Sequence, residues 1–124
     1  MTNVPAATRG LLVDELLSTV THVSLHSADP STTGANELSG GSYARAAATW
    51  AAAGADDTAE NDALITFPTA SGAWSAATHF GLWTASSGGT FRGGAALDTA
   101  RTAASGDTIR FAIGALVVQV ENGA

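Results

Sequence analysis

A chain of 124 residues with a net charge of −6 and no lysine offers no basic patch for nucleic acid and no attraction to an anionic membrane surface. It contains no cysteine, which removes a disulfide framework and any thiolate metal site. Its length predicts one domain over 1–124, with an arm and helix over 1–20 and a β-rich body over 21–124. Only 13% of residues are charged, so either other subunits cover part of the surface or Ser, Thr, Gly and Ala make it up. Residues 1–9 show no basic start followed by an apolar run, so no signal peptide is expected. No apolar run approaches the length of a membrane span.

Pro5 stands near a helix start, and Leu12, Leu16 and Val20, with Leu17 beside them, form an apolar stripe. A helix is expected over 7–18. At about three turns it needs a packing partner, either the domain's own sheet or a neighbouring subunit. Gly10 weakens its first turn by roughly 1 kcal/mol relative to alanine. Over 21–27, Val23 and Leu25 alternate with Ser24 and His26, the period of a half-buried strand. Asp29-Pro30 stops that strand, and Gly34, Gly40 and Gly41 supply turn conformations. A second strand is expected over 44–53, although its alanines favour a helix by propensity.

Residues 54–62 read as a solvated acidic turn. Asp56, Asp57, Glu60 and Asp62 lack the spacing of a calcium loop. A short strand over 64–67 ends at Pro68, and 69–76 is a loop that carries Trp74. Over 77–85, Phe80 and Leu82 oppose His79, Gly81 and Trp83, so bulk on both faces predicts a central strand. A weaker strand spans 90–97, and 98–106 is a connection. Ile109, Phe111 and Ile113 alternate with Thr108 and Arg110, and Leu116, Val118 and Val120 resume after Gly114. Gly114 is either a tight turn or a bulge, and the six apolar residues are expected in one core with Phe80 and Leu82. About seven short strands predict a mainly β fold, an antiparallel β-sandwich of jelly-roll type with one short N-terminal helix.

No catalytic motif is present: no nucleophile elbow, P-loop, dinucleotide fingerprint or HExxH. Ser24, His26 and Asp29 are near neighbours in sequence, which does not make a triad. His22 and His26 sit about 13 Å apart along a strand, too far to share a metal. No enzyme activity, cofactor or metal is expected. Each histidine is expected to be a partly buried polar residue bonded to backbone. Trp83 is expected in the core, while Trp50 and Trp74 fit either core or interface.

The strings LHSADP at 25–30 and TGANELSGGSYAR at 33–45 resemble the signature of a small tailed-bacteriophage family of tail-fibre-like or minor tail proteins. ALITFPTASGAWSAATHFGLWTASSGG at 63–89, GDTIRFAIGALVVQVENG at 106–123 and the helical stretch 11–20 fit the same pattern. The resemblance implies a non-catalytic virion structural protein, made in the host cytoplasm, acting as a tail, baseplate or fibre component. A capsid decoration protein suits the same length and charge. A carbohydrate-binding module for a host-surface glycan is the alternative from another class. Alanine-rich, weakly charged faces favour a homo-oligomer, a trimer before other states, contacting other virion proteins. The loop 29–42 is expected to be ordered and to touch another chain. Asp29, Pro30, Glu37, Tyr43, Arg45, Trp50 and Trp74 are the candidate interaction residues.

Overall fold

The computed structural model describes residues 4–53 and 57–119; Asp56 and Val120 lie outside them. Helix α1 spans Ala6–Ser18. Pro5 precedes it in an extended conformation and accepts a bond from the Arg9 amide. Thr19 closes it through its amide and hydroxyl, both bonded to the Leu16 carbonyl. The helix buries Gly10, Val13 and Leu17; of the expected stripe, Leu17 and Val20 are buried, Leu16 packs on the core and Leu12 is 49% exposed. Asp14 pins the helix outward by accepting the Ala53 amide at 2.6 Å.

Among the described residues eight strands follow: β1 His22–His26, β2 Ala46–Ala47, β3 Thr58–Glu60, β4 Ile65–Thr66, β5 Trp74–Trp83, β6 Phe91–Ala103, β7 Arg110–Phe111 and β8 Val117–Gln119. They form a four-stranded sheet in the order β2-β1-β5-β6 and two ribbons, β3-β8 and β4-β7, antiparallel throughout. The fold is mainly β and sandwich-like. The core face of the large sheet (Phe80, Leu82, Leu97) meets Phe111, Leu116 and Val118 from the ribbons and Leu16 from the helix. Strand β5 is internal, as bulk on both its faces requires. Its register puts Leu25 opposite Phe80 and Ser24 opposite Gly81.

Several expectations are corrected. The strand expected over 44–53 is a strand only at Ala46–Ala47, with one isolated bridge further on between Trp50 and Asn61. Alanine has little side chain to hold a ladder, and the backbone then changes partners. Ala48 donates to Thr21, Ala51 to Glu60 and Ala53 to Asp14, so the segment steps from the large sheet to the ribbon. Trp74 begins β5 instead of lying in a loop, and β6 runs on to Ala103 through the stretch expected as a connection. Ile113 is 67% exposed, whereas Ile109, Phe111, Leu116 and Val118 are buried with Phe80 and Leu82. Ile113 falls in a turn where the Ala115 amide bonds the Ala112 carbonyl and Gly114 sits at φ 81°. That turn takes Ile113 out of the alternation and resets the phase for β8. Finally, β1 is not half-buried: Val23, Ser24, Leu25 and His26 are all at 0% exposure.

Candidate functional site

The second face of β1 is covered by the loop between β1 and β2. Asp29 opens the loop by accepting the Ser31 amide at 2.8 Å, a short side-chain turn that Asp favours. The Pro30 carbonyl then accepts both the Gly34 and Ala35 amides at 3.0 Å. Asn36 Nδ2 donates back to the Asp29 carbonyl, and the Ser27 and Leu38 amides tie the returning chain to Asn36 and Leu25. Ser31, Asn36 and Ser42 hold positive φ alongside Gly34, Gly40 and Gly41, so the loop is tightly wound and its turns are hydrogen-bonded, as expected. At Gly34 a Cβ would lie 2.6 Å from the Trp83 ring, so the loop packs against that indole.

Beneath the loop lies a continuous polar network. Arg45 grips Glu37 with both ends of its guanidinium, Nε to Oε2 and Nη2 to Oε1, each at 3.0 Å. Its Nη1 donates to the carbonyls of Ala85 (3.1 Å) and Gly88 (2.8 Å) in the β5–β6 turn, and its plane lies 3.6 Å over the Trp83 ring. A planar fork that pairs bidentately and stacks is a role lysine cannot fill. Tyr43 donates its hydroxyl to Glu37 at 2.8 Å and accepts the Leu25 amide. Burial pushes the Tyr43 phenol far above its ordinary range, which keeps it neutral.

Deeper still, Trp83 Nε1 donates to Ser24 Oγ at 2.8 Å, and Ser24 Oγ meets His26 Nε2 at 2.6 Å. His26 Nδ1 faces the Ala35 carbonyl at 2.7 Å. A carbonyl can only accept, so Nδ1 carries the proton, Nε2 accepts, and Ser24 donates to it. Burial holds the imidazole below its usual range. The bond to Ala35 and the Glu37 charge oppose that shift, while Arg45 and His79 add to it. Ser24 and His26 have the contact of a nucleophile and its base. Both are fully buried, Trp83 occupies the serine oxygen, and a Cβ on Gly81 would already lie 2.7 Å from His26 Nε2. No substrate atom fits between them, so the pair is a structural bond.

The seven candidate residues separate. Glu37, Tyr43 and Arg45 meet in the network and face inward. Pro30 is buried beneath the loop against β6 at Gly94, and Asp29 is exposed at the loop's start. Trp74 is 6% exposed; its indole donates to Gly41 at 2.8 Å and its ring packs edge-on against Tyr43. Trp50 is half-buried, beside an open groove of about 800 Å³ lined by Leu17, Val20, Ala48, Ala51 and Leu64, and its buried Nε1 has no hydrogen-bond partner among the described residues. Trp83 is half-buried instead of a core residue. His22 and His79 bond the hydroxyls of Thr21 and Thr78; of the three only His26 bonds backbone as expected, and it is fully rather than partly buried.

Sequence reading missed the centrality of Ser24, His26 and Trp83. The signal was there: Ser24 and His26 share one face of a strand whose next-door partner, β5, presents Gly81 and Trp83. It also missed Asn61, fully buried, whose side chain donates to the carbonyls of Ala63 and Ala112 and accepts the Leu116 amide. Among the described residues no group of three or more His, Asp or Glu is placed to hold a metal ion, and no helix is long and apolar enough to cross a membrane.

The family model described as Podophage GP4 fiber I protein gp80 matches residues 16–119. That span holds the loop, the network and all eight strands. No curated protein matches the chain.

Proposed function

Because the chain belongs to the Podophage GP4 fiber I protein gp80 family, a phage tail-fibre-like family, we propose that it is a non-catalytic virion component that works by self-association and by docking onto other tail or baseplate proteins. The observation that carries this reading is the family match across most of the chain, together with polar chemistry turned inward to brace a loop. Glu37, Tyr43 and Arg45 hold the loop from beneath, and the exposed Asp29, Thr32 and Thr33 form its outer surface. In this reading the outer surface meets the neighbouring chain, and a trimer is the favoured state. A carbohydrate-binding role gains less support, since Trp74 is buried and cannot offer a stacking platform.

Thr32→Arg places a charged side chain on the loop's outer surface without touching the network. Wild-type protein is expected to scatter light as an oligomer and to enter particles. Thr32→Arg is expected to melt at the wild-type temperature and to lose both properties. A wild-type chain that stays monomeric at high concentration, seen as isolated copies in a particle map, would refute self-association. Normal assembly of Thr32→Arg would remove the loop from the contact.

A further inference from the structure

We propose that the chain Trp83–Ser24–His26–Ala35 is an acid-released latch, which holds the β1–β2 loop closed while His26 is neutral and frees it when His26 gains a second proton. Every hydrogen in the latch runs one way. Trp83 donates to Ser24, Ser24 to His26 Nε2, and His26 Nδ1 to the Ala35 carbonyl in the middle of the loop. A proton arriving from solvent at Nε2 reverses one link: two hydrogens then face each other across 2.6 Å. Ser24 already accepts from Trp83, so it must turn its own hydrogen away, and no other acceptor contacts its hydroxyl among the described residues.

The Ala35 carbonyl favours the cation, but burial outweighs it. Phe91 presents its ring 6.3 Å away, and Gly81 leaves no space behind. Glu37, from the loop, is the one carboxylate among the described residues that faces His26, and Arg45 already holds both of its oxygens. Arg45 itself and His79, across on β5, are the like charges that oppose protonation. Tyr43 stays neutral and is bonded to Glu37 and the Leu25 amide. An imidazolium here gains charge stabilisation by moving out to water, and the Ala35 bond goes with it. The sign follows from burial: with its folded pKa below the unfolded 6.5, His26 contributes stability above about pH 6.5 that is lost as the pH falls below it. The element that yields is the loop, because β1 pairs along its whole length with β5, whereas at His26 its other edge is only bridged to the loop at Glu37.

Hydrogen–deuterium exchange on the intact protein tests the latch, with protection factors corrected for the intrinsic pH dependence of exchange. Between pH 7.5 and 5, protection at the Gly34, Ala35 and Leu38 amides should fall at least tenfold, while the β1–β5 ladder keeps its protection. His26→Gln, which cannot gain a charge, should give loop protection that does not vary with pH. The ring NMR signals of His26 in wild-type protein provide the second readout, independent of whether the variant folds. They should show an Nδ1–H tautomer at neutral pH and titrate at the pH where loop protection is lost. Loop protection that is flat across this range, or a His26 titration that leaves it unchanged, would overturn the proposal. So would an unaltered pH response in His26→Gln.

Discussion

Phe111 and Ile113 stand two residues apart, look alike in an alternation pattern, and should respond oppositely to truncation. Phe111 is 2% exposed. Its ring packs edge-on against Phe67 at 6.1 Å, and the Arg101 guanidinium lies over it at 4.6 Å. Phe111→Ala removes a buried aromatic from a close-packed site, which costs roughly 3–5 kcal/mol. The edge-to-face pair adds about 0.5–1.5 kcal/mol beyond area alone, which places the loss toward the upper end. A domain of this size holds about 5–15 kcal/mol in total, so the variant should melt roughly 10–20 °C lower or fail to fold at physiological temperature. Ile113 is 67% exposed, so Ile113→Ala should stay within about 0.5 kcal/mol of wild type. Phe111→Leu keeps most of the volume and supplies an intermediate point if the alanine variant does not fold. Thermal melts by circular dichroism, with urea unfolding beside them, read all three. Equal destabilisation by Phe111→Ala and Ile113→Ala would refute the turn at 112–115 and the phase reset it produces.

Two further outcomes follow from single buried contacts. Asn61→Ala should destabilise by roughly 1–3 kcal/mol, because the buried Leu116 amide loses its acceptor while the chain loses its tie between 63 and 112; urea midpoints measure this, and an unchanged midpoint would sink the hub. Gly81→Ala should cost about 1–3 kcal/mol by overpacking, since the added carbon meets the Ser24 hydroxyl, His26 Nε2 and the Phe91 ring; near-ultraviolet dichroism of Trp83 should change with it, and a native signal with native stability would contradict the close packing.

The sequence by itself determined what local chemistry controls. Pro5 and the leucine-rich run place the helix within a residue of Ala6–Ser18. Val23 and Leu25 place β1, and Phe80 and Leu82 place the internal strand, because alternation and bulk are properties of a few adjacent residues. Asp29-Pro30 and the loop glycines announce a wound loop for the same reason. Tertiary structure alone decided which apolar residues are inside. Leu12 and Ile113 match their patterns and are exposed, since the rotation of a helix and the phase after a turn depend on what they pack against. The alanines at 46–53 carry too little side chain to choose a partner, so bonds from Thr21, Glu60 and Asp14 choose for them. The polar network was the least legible part. Ser24 and Trp83 lie 59 residues apart, and Glu37 and Arg45, eight apart, stand out only as surface candidates. They become one structure only when β1 pairs with β5 and the loop folds back over both, because a buried hydrogen bond is satisfied by geometry that no single stretch of sequence contains.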